Sequence, residues 1–533
     1  MEPEYDYIIV GGGSAGCVLA NRLSENDKNQ VLLLEAGPED KNFWIHLPIG
    51  YYKTIYNKTI SWGYVTAPDP NIHYRRIFWP RGKVLGGSSS VNGLIYIRGQ
   101  AKDFDEWEAL GNLGWGWKNV LPYFKKSEHQ ERGDCEYHGS RGPLSVSDIK
   151  MKHPLCEAYL NACYEAGIPF NNDFNGPTQL GAGYYQLTID KGRRCSSAVA
   201  YLRPALRRKN LNVSTNALVT KLLINNNRVY GVEILKNGLR SNSCAHKEVL
   251  LCAGAINTPQ ILQLSGIGDE KLLRELNIKV AHHLPGVGSN LQDHYQVRSV
   301  YHCKKPWTLN ITSRSLLWLV KAATDFALFR RGPLTVGAGQ VGVFACSNKT
   351  TQGPDLQIHF MPLSTDSPGL GLHKFSAFTT TVCQLRPQSK GYIKIISSDP
   401  LKAPYIQPNY LSIKNDIEVT LAGIKLMRSI AQTSSLSSYI QTELEPGVGC
   451  NTDEELTAFA RNKGTTIFHP CGSCKMGVDE KAVVDANLKV RGMQGLRVID
   501  ASVMPTIVSG NTNAAVIMIA EKAADIILSA NLK

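Results

Sequence analysis

The 533-residue chain contains no apolar run of about eighteen residues, the length a membrane-spanning helix requires, so no transmembrane helix is expected. Met1 is followed at once by acidic residues and the apolar strand Tyr5–Val10, which leaves no room for a signal peptide. The thirteen cysteines are an odd set without disulfide-framework spacing, which predicts reduced thiols and a cytoplasmic location. Basic clusters are scarce too. The 58 Lys and Arg against 45 Asp and Glu give a net charge of +13, but they are scattered, with short runs such as Arg207-Arg208-Lys209. Nucleic acid is therefore not an expected partner, and the surplus reads as solubility or attraction to an anionic surface. Glutamate is absent between Glu275 and Glu418. No internal repeat or low-complexity tract occurs, and the length exceeds one hydrophobic core, so two or more domains are expected.

The nearest approach to an apolar span, Leu316 to Arg331, is interrupted by Lys321 and Asp325. It reads as an amphipathic helix packed on the core, although its basic C-terminal end would suit a peripheral contact at the inner face of a membrane.

The N-terminus carries a legible βαβ unit. Tyr7–Val10 is a buried strand, Ser14–Leu23 a helix, and Gln30–Glu35 a second strand. Between the first strand and the helix stands Gly11-x-Gly13-Ser14-Ala15-Gly16. The first glycine permits a tight turn, the second lets backbone approach a pyrophosphate, and the third lets helix and strand pack closely. The free N–H groups of Ser14 and Ala15 then open the helix toward phosphate charge. Glu35 ends the second strand, 19 residues after Gly16, where a carboxylate can accept from a ribose. A dinucleotide is thus indicated, NAD and FAD remaining open and NADP disfavoured. Glu248–Ala255 is another strand with a helix from Thr258-Pro259, Leu496–Asp500 a short strand, and Asn513–Leu528 a long helix. By contrast, 357–360, 375–385 and 391–395 alternate like antiparallel strands between Gly/Pro turns, with helices expected over 417–431 and 453–463. The fold class is α/β (α+β overall): a Rossmann-like nucleotide domain over 1–155, 196–298 and 462–533, with an inserted substrate-binding cap over 156–195 and 299–461, built on an antiparallel sheet flanked by helices.

Two further segments carry chemistry. Pro80 to Gly93, with Gly86-Gly87-Ser88-Ser89-Ser90-Val91-Asn92-Gly93, is a loop of small residues suited to a flat ligand. Phe468-His469-Pro470-Cys471 is followed by Gly510-Asn511-Thr512-Asn513, which puts Asn513 44 residues after the histidine. An imidazole, with an unperturbed pKa of about 6.5, suits removal of a hydroxyl proton, and an amide can hold the oxygen that loses it.

The Pro80–Gly93 stretch closely resembles the first signature of the glucose–methanol–choline (GMC) oxidoreductases. Gly254 to Gly268 is similar to the second, and Leu284 to His294 and the His469 and Asn513 segments also resemble that family, nearest its choline dehydrogenase and bacterial alcohol dehydrogenase branch. The resemblance spans essentially the whole chain. It implies FAD, with Gly11, Gly13, Ser14, Ala15, Gly16 and Glu35 on the ADP half and Val219 at the adenine end. It places Gly87, Asn92 and Gly93 along the flavin, and Asp500 and Asn511 near it. Some relatives link flavin through a histidine where this chain has Val91, so non-covalent FAD is expected. His469, as base, and Asn513 would face the flavin and a primary alcohol, oxidised to the aldehyde, with oxygen or a quinone as acceptor.

Cys471-x-x-Cys474 could be a redox pair or half a zinc site, but no second such motif occurs. Cys383 and Arg386 match residues of a flavin photodecarboxylase branch, yet the same pattern occurs in ordinary alcohol dehydrogenases. Choline itself would call for an aromatic cage and a carboxylate. In the glutamate-free stretch Asp325, Asp355 and Asp366 are possible substitutes, and the apolar cap fits an aliphatic or aromatic alcohol better. A non-catalytic flavoprotein is opposed by the His469–Asn513 pair, and the sequence carries no signal for an oligomeric state.

Overall fold

The structure, a computed structural model, describes residues 4–366 and 371–530. Tyr7, Ile8, Ile9 and Val10 are buried without alternation, the pattern of a strand covered on both faces by helices. Glu4–Val10 accordingly lies inside a seven-stranded sheet, pairing parallel with Val31–Leu34 on one side and Leu239–Leu251 on the other. Leu211–Ser214 extends the parallel part beyond Val31–Leu34, and Leu496–Val498 joins Leu239–Leu251. The first half of Leu239–Leu251 pairs antiparallel with Arg228–Lys236, which pairs with Leu218–Asn225. Helices Ser14–Leu23 and Asn513–Ala530 cover the parallel part, the latter buried from Ala514 through Glu521. The strand expected over 248–255 ends at Leu251, because Gly254 takes a left-handed φ of +82° and opens the helix Gly254–Leu264.

The second large sheet is antiparallel throughout, in the order Ile440–Glu445, Tyr295–Cys303, Ala377–Gln384, Leu356–Met361, Val341–Ala345, Gly181–Tyr184, with Thr465–Thr466 also on Tyr295–Cys303. Strand Tyr295–Cys303 runs through the boundary expected at 298. Helix Lys414–Gln432 buries Val419, Ile424, Met427 and Ile430 in one core with Ile358, Phe360, Phe378 and Val382 of this sheet. The expected strand at 391–395 forms as Tyr392–Lys394, but in a separate hairpin with Tyr405–Gln407.

Helix Leu316–Phe329 forms where expected, but it does not pack on the core. Only Ala322 and Phe326 are buried, while Leu316, Leu317, Val320, Leu328 and Phe329 are more than half exposed. The apolar residues run nearly all round this helix, so periodicity alone did not say which face would pack.

Candidate active site

A cavity of about 1060 Å³ lies between the two sheets, larger than the roughly 300–1,000 Å³ usual for one small ligand. Val10, Leu34 and Val219 line it from the first sheet, and Gln296, Arg298, His359, Met361, Thr379 and Thr381 from the second.

At one end stand Gly11, Gly13, Ser14 and Ala15. Gly11 has φ +104°. Gly16 lies behind this wall, where a Cβ would stand 1.9 Å from the Gly11 carbonyl oxygen, so it serves helix–strand packing. Glu35 accepts from the Gly12 N–H at 2.9 Å and the Gly37 N–H at 2.7 Å. Burial pushes its pKa up to about 7 against the pull of those two donors. The Gly/Ser loop packs directly on this end: Gly87 has φ +54°, and a Cβ there would meet Gly13 Cα at 2.7 Å. Gly93 faces Ala338, which a Cβ would approach to 2.4 Å. Asn92 is fixed by the buried Arg194, whose Nη1 donates to its side-chain oxygen at 2.7 Å and Nη2 to its carbonyl at 2.8 Å. Val91, buried, also lines the cavity. Asp500 accepts from Gly254 N–H at 2.9 Å and Thr258 Oγ1 at 2.6 Å, capping Gly254–Leu264 where that helix meets the cavity. Glycines without room for a Cβ, a helix N-terminus and a buried carboxylate fit the ADP half of a dinucleotide, and the remaining length fits a flat ring beside Val91–Gly93.

At the other end is His469. Its loop is held from three sides. Asp293 accepts from the His469 N–H at 2.8 Å and from Thr466 Oγ1 at 2.6 Å, and it also accepts from the Tyr410 hydroxyl. Arg81 donates to the Phe468 carbonyl at 2.8 Å. Phe468 itself has φ +71°, a conformation costly for a non-glycine residue and retained only where the surroundings impose it. Burial raises the Asp293 pKa to about 6.

The hydrogen bonds assign the imidazole tautomers. Burial holds His294 near pKa 4 and drives His469 well below its ordinary value, with His294, His359 and Arg81 adding to the effect. Both rings are therefore neutral, with one N–H each. His294 Nε2 sits 3.0 Å from the Leu385 carbonyl, which can only accept, so its Nδ1 is the acceptor. His469 Nδ1–H then donates to His294 Nδ1 at 3.0 Å. The lone pair of His469 is left on Nε2, where the Asn511 amide donates at 3.1 Å. Asn511 is oriented in turn by Gln357, whose Nε2 donates to its Oδ1 at 3.3 Å.

The amide against His469 is thus that of Asn511, and the expected His469–Asn513 pair is not formed. Asn513 starts the last helix with its Oδ1 accepting from Ser14 Oγ at 2.8 Å, which ties it to the phosphate-loop end. His294, His359, Asp293 and Gln357 were not singled out from the sequence. His294 and Asp293 lay in plain view in the Leu284–His294 segment, and His359 and Gln357 share one face of an alternating strand. Cys471 and Cys474 are buried free thiols, and burial raises both pKa values well above the ordinary thiol value. Arg386 is paired with Asp103 at 2.6 Å and with Glu106, away from the cavity.

The cavity wall formed by the second sheet carries a positive charge. Arg298 lines the cavity with its Nε sealed and unpartnered, and among the described residues no hydrogen bond or ion pair engages its guanidinium. Asp355 is taken by Ser347, Asp325 by Arg331 and Asp366 by His373, and none of the three lines the cavity.

A dinucleotide cradle facing a buried neutral histidine across one cavity defines a cofactor-dependent oxidoreductase. Two models of the GMC oxidoreductase family match residues 5–296 and 387–520. The alcohol dehydrogenase [acceptor] of Pseudomonas putida is 43% identical over 527 residues, covering 98% of this chain and 96% of that one. The mitochondrial choline dehydrogenase of Mus musculus is 43% identical over 533 residues, covering 98% and 89%. The crystal structure of pyridoxine 4-oxidase from Mesorbium loti superposes with a TM-score of 0.89 at 30% identity, covering 98% of both chains. The chain belongs to the GMC oxidoreductase family, whose members are FAD flavoproteins acting on CH–OH donors.

Proposed function

We propose that the chain oxidises an uncharged primary alcohol, aliphatic or aromatic, to its aldehyde, with His469 as the base and FAD held non-covalently. The observation that carries this reading is the lone pair on His469 Nε2, set by two fixed tautomers and facing the cavity, where it accepts from the Asn511 amide. FAD, when bound, accepts the hydride of the carbinol carbon. Gly11, Gly13, Ser14, Ala15, Glu35 and Val219 would hold its ADP half. Gly87, Asn92 and Gly93 would lie along its ring, and Val91 offers no atom for a covalent link.

The residues divide the remaining work. The alcohol hydroxyl displaces the Asn511 amide from His469 Nε2 and gives that nitrogen its proton as the hydride departs, so the two hydrogens leave as proton and hydride. The new imidazolium keeps donating through Nδ1 to His294. Asn511 donates to the substrate oxygen while negative charge builds there. Asn513 secures Ser14 at the phosphate end and takes no part in proton transfer. Arg298 repels a quaternary ammonium, and the substrate half supplies no carboxylate to offset that repulsion, which favours a neutral alcohol over choline. The acceptor is oxygen or a quinone, the latter reached by a protein peripheral to the inner face of a membrane.

Anaerobic stopped-flow mixing with an alcohol panel tests the reading. Neutral primary alcohols are expected to bleach the flavin with kcat/KM at least tenfold above choline, and His469→Ala to slow reduction by about 10²–10⁴-fold. Faster bleaching by choline, or near-normal reduction by His469→Ala, would overturn it. Acid precipitation is expected to leave the yellow colour in the supernatant; colour in the pellet would mean a covalent bond.

A further inference from the structure

Helix Leu316–Phe329 leaves an apolar surface in the open. Leu316 is 74% exposed, Leu317 83%, Val320 57% and Leu328 69%. Leu316, Leu317, Val320, Ala323, Ala327 and Leu328 recur at spacings of three, four, seven and eleven residues, so they form one face, opposite the Ala322–Phe326 side that packs. Contiguous exposed apolar surface on this scale marks an interaction site.

Charge identifies the occupant. From Lys304 to Arg331 the chain carries Lys304, Lys305, Arg314, Lys321, Arg330 and Arg331, all exposed, against one acid, Asp325, which Arg331 already engages at 3.5 Å. Trp307, 42% exposed, stands among them. Leucines flanked by exposed cations and a tryptophan are the composition of an interfacial helix on an anionic bilayer. A second copy of this chain would bring the same positive charges face to face. Among the described residues no helix is long and apolar enough to cross a membrane, so the contact is with one leaflet.

The face adjoins the cavity. Trp318 and Leu319 of this helix line the cavity, as do Ser313 before it and Leu334 after it. We infer that helix Leu316–Phe329 seats the protein on an anionic bilayer with the cavity mouth against the lipid, so that an apolar alcohol enters from the membrane rather than from water. This deepens the peripheral placement proposed above, but lipid binding is read without turnover and so stands or falls apart from the alcohol chemistry.

The FAD-loaded enzyme is floated with phosphatidylcholine vesicles and with vesicles rich in phosphatidylglycerol. It is expected to float with the second and not the first, and to be released by salt. Leu317→Glu/Leu328→Glu, at two positions that do not line the cavity, is expected to abolish flotation. Arg330→Glu/Arg331→Glu is expected to weaken it by about twentyfold or more, from roughly 1 kcal/mol for each basic residue lost. Both variants should bleach normally with a short, water-soluble alcohol, which shows that they are folded. With a long-chain alcohol dissolved in the vesicles, wild-type bleaching should exceed theirs by at least tenfold. No flotation of the wild type, equal flotation of Leu317→Glu/Leu328→Glu, or a concentration-dependent dimer that this variant dissolves would overturn the inference.

Discussion

Asn511 and Asn513 stand two residues apart, yet their amides meet different partners. Gly510, at φ +138°, turns the chain so that Asn511 reaches His469 from outside the helix, while Asn513 begins the helix against Ser14. Asn511→Ala is therefore expected to lower the flavin reduction rate by about 10²–10³-fold, as loss of a single oxyanion donor does, with FAD affinity unchanged. Asn513→Ala should instead raise the FAD dissociation constant and leave the rate of the loaded enzyme within a few-fold. Stopped flow and flavin fluorescence titration separate the two, and interchanged phenotypes would reverse the assignment. The acid limb of kcat/KM belongs to the same residue scale. Burial lowers the His469 pKa well below its ordinary value, so the base stays unprotonated at pH 6.5, and kcat/KM should hold flat through that pH and fall only in more acidic buffer. A limb centred above pH 7 would contradict a buried neutral base. The sequence made His469 legible because a histidine in a Pro/Gly loop is locally distinctive. It misdirected the amide because the deciding contact, Gln357 to Asn511, joins positions 154 residues apart. No local pattern encodes that.

Among the elements, the nucleotide sheet and its glycines were readable because parallel strands and the turn between them obey short-range rules. The hairpin of Leu218–Asn225 and Arg228–Lys236 was not, since its alternating, half-exposed residues resemble surface chain as much as strand. Helix Lys414–Gln432 was readable from its 3.6-residue period, and its closeness to the second sheet rests on Gly423. A Cβ there would stand 2.6 Å from Val382 Cγ2 and 3.2 Å from Leu356 Cδ2. Gly423→Ala gains helix propensity of up to about 1 kcal/mol but forces this packed interface apart, and overpacking of that kind costs about 1–3 kcal/mol. Calorimetry is expected to show a lower Tm with an unchanged flavin spectrum. A higher Tm would mean that the helix has room to shift, and that the glycine is incidental to the packing.

The whole molecule carries the cost of its buried site as a pH dependence. His294, His359 and His469 are neutral in the fold, their pKa values lowered to about 4, about 3 and well below the usual value respectively. The unfolded chain protonates them near pH 6.5, so below that pH it binds protons the fold refuses, and each group removes about 1.4 kcal/mol of stability per pH unit of acidification until its folded pKa is reached. Glu35 and Asp293 act in the opposite sense. Their folded pKa values of about 7 and about 6 exceed the ordinary carboxyl value, so the cofactor-free fold holds protons the unfolded chain has lost, and gains stability as pH falls through that range. Among these five groups the three histidines outweigh the two carboxyls between about pH 6 and pH 4.5, a net contribution that removes about 1.4 kcal/mol of stability per unit of acidification. His359 is the group to remove, because its Nε2 has no hydrogen-bond partner, so the change gives up the ring contact with Tyr185 but no bond at that nitrogen. In the cofactor-free protein, His359→Gln is expected to flatten that slope. Its Tm, compared with wild type at pH 6.5 and again at pH 4.5, should gain on the wild type as the buffer becomes more acidic. Parallel Tm curves would mean that His359 takes up its proton in the folded state, and that the cavity wall carries a positive charge where the neutral ring is placed.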